Sequence, residues 1–89
     1  MATSIRGLKK EVKAAFERLI GDVLLVQLAS GEAGKEGNAL INRMVDTYEE
    51  ILKKINAHRQ TRDKKAYFKE LNREIEAKLK EFREKVDAL

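Results

Sequence analysis

Apolar residues return every three or four positions along most of the chain, which is the period of one face of an α-helix. From Ser4 to Ala29 the series is Ile5, Leu8, Val12, Phe16, Leu19, Val23 and Val26. Ser4 stands where it would cap the first turn. From Asn38 to His58 the series is Ile41, Met44, Val45, Tyr48, Ile51, Leu52 and Ile55, with Asn38 as the expected cap. From Arg62 to Ala88 it is Phe68, Leu71, Ile75, Leu79, Phe82 and Val86, and the other faces of this segment are almost wholly charged. Glu74–Lys78, Glu76–Lys80 and Glu81–Lys85 have the i,i+4 order that favours ion pairs along a helix.

No glycine or proline separates the second segment from the third, so phase decides whether they are one helix. Continued from Ile55, the stripe would need apolar residues at 58 or 59, then 62, then 66. Traced back from Phe68, it would need them at 64 or 65 and at 61. The two stripes miss each other by about two residues, or roughly half a turn. A turn within "NAHRQTRD", residues 56–63, lets both faces meet one core. The first two segments are separated by "SGEAGKEG", residues 30–37, which reads as a flexible link. Gly31 suits the left-handed end of a helix, and Gly34 and Gly37 keep the rest of the link loose. The expectation is one all-α domain over residues 1–89, an antiparallel up-down-up three-helix bundle. Its helices span 4–29, 38–58 and 62–88, each about 30 to 40 Å long at 1.5 Å per residue.

Composition agrees with this reading. A chain of 89 residues supports one core. It contains no proline, and its 43% hydrophobic residues are too regularly placed for a disordered chain despite 38% charged residues. The absence of cysteine excludes disulfides and thiolate sites and fits a reducing cytoplasm. No apolar run approaches the roughly 18 residues of a membrane span, so no membrane partner is expected. The stretch "VLLVQLAS", residues 23–30, has the apolar character of a signal-peptide core. Glu11, Glu17 and Asp22 interrupt the basic region that should precede such a core, so it reads as the end of an amphipathic helix.

The opening "SIRGLKKEV", residues 4–12, and the stretch "DKKAYFKELNREI", residues 63–75, resemble a group of small uncharacterised proteins of Bacteroidetes. The resemblance implies a compact all-helical fold, a bacterial cytoplasmic setting and no assigned activity. It carries no functional residues over to this chain.

The glycine-rich link raises the question of a phosphate-binding loop. A Walker A loop needs a glycine five residues before its Gly-Lys pair and a serine or threonine after it. Here Ala29 holds the first position and Glu36 the last, and Glu32 and Glu36 would repel a phosphate. No GxGxxG occurs. His58 is the single histidine, and with no cysteine a structural zinc site has too few ligands. The carboxylates at 49, 50, 70, 74 and 81 interleave with lysines at pairing distance, and no Glu-x-x-His suggests a di-iron bundle. No metal and no cofactor are therefore expected. Ser4, Ser30 and His58 have capping, linking and helix-end roles, so no nucleophile and base pair is legible.

Two features remain. Arg6, Lys9, Lys10 and Lys13 lie near the start of the first helix, and Lys53, Lys54, Arg59, Arg62, Lys64 and Lys65 surround the second turn. An up-down-up bundle brings both groups to the same end. Ten basic side chains there face two acidic ones, Glu11 and Asp63, which leaves that end at a formal +8 and the rest of the chain at −4. Lys9, Lys10, Lys53, Lys54, Arg59, Arg62, Lys64 and Lys65 are the candidate anion-binding residues. Nucleic-acid phosphate is the obvious partner, with Tyr67 and His58 available for stacking. The second feature is surplus hydrophobicity late in the first helix. Leu24, Leu25, Val26 and Leu28 point in different directions at 100° per residue, more than one stripe can hold. Either the helix is wedged between both neighbours, or Leu24, Leu25 and Leu28 form an interface with another protein or a second copy. The leading expectation is a small non-enzymatic helical interaction module, homodimeric in its simplest form. The alternative is a nucleic-acid-binding module.

Overall fold

The helical periods become three helices: α1 (Ile5–Ser30), α2 (Gly34–Asn56) and α3 (Lys64–Asp87), with a short 3₁₀ turn (Ala57–Gln60) between the last two. The computed structural model describes residues 5–30 and 34–89. Ser4 and Gly31, the expected caps of α1, lie outside the described residues.

Each helix turns most of its forecast stripe inward. Leu8, Val12, Phe16, Leu19 and Val23 of α1 meet Leu40, Met44, Ile51 and Ile55 of α2 and Leu71, Ile75, Phe82 and Val86 of α3. The helices alternate in direction. Near one end Gln27 of α1 reaches Asn38 of α2, and α1 and α3 run parallel, with Asp22 bonded to Arg83. Lys54 and Glu74 join α2 and α3 toward the other end. Midway, the Phe16 ring lies 5.6 Å from Tyr48 and 6.0 Å from Phe82, so one aromatic trio ties all three helices. The result is an up-down-up bundle of 49 × 19 × 17 Å.

Two local expectations are corrected. α2 begins at Gly34, not at Asn38, so Gly34 and Gly37 are helical residues and not part of a flexible link. The reason lies in packing. A Cβ on Gly37 would come within 2.6 Å of Gln27 Nε2, and that amide donates to the Gly34 carbonyl at 3.2 Å and to Asn38 Oδ1 at 3.0 Å. Asn38 therefore receives a bond from α1 where a capping role was expected. The inward stripe of α2 includes Leu40, which the forecast omits, and leaves Val45 39% exposed.

The turn at 56–63 forms for the reason the phase mismatch gives. The His58 ring Nδ1 donates to the Ile55 carbonyl at 2.7 Å. The Tyr67 hydroxyl donates to the Lys54 carbonyl at 2.6 Å, satisfying one of the acceptors a helix leaves open at its C-terminal end. Asp63 then caps α3 by accepting from the Ala66 N–H at 3.1 Å.

Candidate functional site

The surplus hydrophobicity of α1 is exposed. Leu24 is 48% accessible, Leu25 64% and Leu28 84%. α1 is therefore not wedged between its neighbours along a broad buried face. Val26 turns partly inward, but the three leucines share a second stripe with Gly21. Positions 21, 24, 25 and 28 follow the i, i+3, i+4, i+7 rule and lie on the side of α1 roughly opposite the Leu19–Val23 core stripe.

Charge is withdrawn from this region. Between residues 19 and 30 the single charged residue is Asp22, and between 37 and 45 it is Arg43, in a chain that is 38% charged. Both turn toward α3. Asp22 pairs with Arg83 at 2.8 Å, and Arg43 reaches Glu81 at 4.0 Å. The outward side of α1 at this end is left apolar, and Val45 of α2 is one more exposed apolar group.

The opposite end carries the basic residues. Lys10, Lys53, Arg59, Arg62, Lys64 and Lys65 are exposed, while Lys9 and Lys54 are half-buried. Lys54 is engaged by Glu74, and Lys13 lies 3.8 Å from Glu17. Helix phase spreads the set around the end. Lys10 and Lys53 each point away from the core on their own helices, so they leave the bundle in different directions. The two rings expected to stack on a ligand serve the turn: Tyr67 holds the Lys54 carbonyl, and the His58 ring lies 5.6 Å from Phe68.

Lys69 and Arg73 lie beyond the forecast residues, with Arg73 3.6 Å from Glu70. With Lys65 they follow an i, i+4, i+8 line on α3 and border a shallow groove with Phe68, Asn72 and Glu76. That spacing is visible in the sequence and was the signal available for finding them. A second groove joins α1 to α3 through Leu8, Val12, Ile75 and Leu79.

Electrostatics at the end opposite the basic residues centre on Glu81. A hydrogen bond from Lys85 and the charges of Lys85, Lys78 and Arg43 hold its carboxyl below the usual glutamate range. That is the signature of a surface ion-pair network. No group of three or more metal-ligating side chains gathers among the described residues. No helix among them is long and apolar enough to cross a membrane. Comparison with protein-family models, curated proteins and solved structures finds no match to this chain.

Proposed function

We propose that the protein is a small helical interaction module that works by protein–protein contact through the outward stripe of α1. One observation carries the reading: Leu24, Leu25 and Leu28 are exposed together within residues 23–30, a stretch that holds no charged residue. Interface cores are depleted of charged residues in the same way, and a helix face that buries nothing in its own chain gains by covering leucine with another surface. A cytoplasmic setting belongs to the same proposal and is supported by a chain without cysteine.

The test is the double variant Leu25→Lys, Leu28→Lys. Both positions are exposed, so the thermal midpoint and helical content should stay near those of the parent. Contact with the partner, read as mass in solution or as retention on an immobilised partner, should be lost. Unchanged association with an intact fold would remove this surface from the function.

A second reading has its own support. The bundle topology gathers residues 6–13 and 53–65 at one end. On this reading the basic end binds nucleic-acid phosphates without base-specific contacts.

A further inference from the structure

We infer that the occupant of the α1 stripe is a second copy of this chain, docked antiparallel about a two-fold axis between Leu24 and Leu25. The inference rests on the proposed contact through α1 and gives it a partner and a geometry.

The first support is the register of the stripe. Around an axis between residues 24 and 25, position 21 of one copy faces 28 of the other, and 24 faces 25. The most exposed leucine, Leu28, then meets Gly21. A glycine inside a helix weakens it relative to alanine, and nothing among the described residues requires one here, because a Cβ on Gly21 would meet none of their atoms within 4 Å. In the pair, the missing side chain is the hollow that receives the Leu28 of the second copy. Gly37 differs, since its hollow is filled by Gln27 of the same chain.

The second support is charge. The stripe lies toward the end of the bundle opposite the basic residues. Antiparallel pairing joins the apolar stripes and sends the two basic ends in opposite directions, about 45 Å apart at 1.5 Å of rise per residue. That distance is several times the roughly 8 Å screening length at physiological salt. Parallel pairing would instead lay one basic end beside the other. Two-fold pairing also uses the same patch on both copies and closes on itself.

The experiment is sedimentation equilibrium of the full chain over a wide concentration range, combined with cysteine pairing. The parent should approach twice its 10.2 kDa, and Leu28→Lys should weaken association by at least about tenfold, because a lysine would meet an apolar hollow. The chain has no cysteine of its own, so single Gly21→Cys and Leu28→Cys variants can be mixed and oxidised. Residues seven apart on one helix are too distant for a disulfide. The mixture should give the 21–28 heterodimer, and each variant alone should give little covalent dimer. Homodimers linked 21–21 and 28–28 would overturn the antiparallel geometry. A parent that stays at 10.2 kDa throughout would overturn self-association while leaving the proposed contact to its own test with a different protein. A dimer unaffected by Leu25→Lys with Leu28→Lys would overturn both.

Discussion

At the scale of single residues, two glycines have opposite roles. Gly21 and Gly37 both lie within helices, where an interior glycine costs about 1 kcal/mol of helix stability relative to alanine. Around Gly21 there is open space, so Gly21→Ala should raise the stability of the monomer by about that amount in dilute solution, as read from denaturant midpoints. Gly37→Ala should recover much less or lose stability. Its methyl group would displace the Gln27 amide, 2.6 Å away, and break the bonds to Gly34 and Asn38. Both glycines are visible in the sequence, but local context made Gly37 read as part of a loose link and says nothing of what packs over either. The difference is whether another helix lies over the glycine, and that is a property of the packed bundle.

At the scale of elements, helix boundaries depend on caps and helix identity depends on period. The stripes on all three helices were legible because burial of one face imposes the 3.6-residue repeat. The break before α3 was legible because two stripes half a turn out of phase cannot face one core. The start of α2 was not, because Gly34 and Gly37 are poor helix formers in isolation and are held by an amide from α1. Asp63 caps α3 with a single side-chain bond to Ala66. Asp63→Ala should therefore cost about 1 kcal/mol in thermal or chemical unfolding, and Asp63→Ser should restore most of it. The Glu81 network gives α3 a pH dependence of known sign. Its carboxyl is held below the ordinary value near 4.5 when folded, so the unfolded chain takes up the proton more readily. The stabilisation is present above that value and fades as pH falls through the lower folded one. Glu81→Gln should flatten the pH dependence of stability in that acidic window and leave the neutral region unchanged in shape.

At the scale of the whole molecule, the bundle is a rod with basic residues gathered at one end and an uncovered apolar stripe on α1 toward the other. If the basic end binds nucleic acid, affinity for random-sequence RNA or duplex DNA should fall by orders of magnitude between about 50 and 200 mM salt, as several phosphate contacts require. Reversing Lys9, Lys10, Lys64 and Lys65 to glutamate should weaken that binding and flatten its salt dependence. A filter-binding or anisotropy titration reads both. Absence of binding at low salt would make these lysines a solvated surface. The sequence alone determined the helix class, the three stripes, the second turn and the gathering of basic residues at one end. All of these follow from period and connectivity, which are properties of the linear chain. It also marked Leu24, Leu25 and Leu28 as surplus. Only the tertiary structure decided that they are uncovered, that Gly21 lies open among them, and that Asp22 and Arg43 turn to α3. Those outcomes depend on how each helix is rotated against its neighbours, and rotation is set by the packing of all three helices at once.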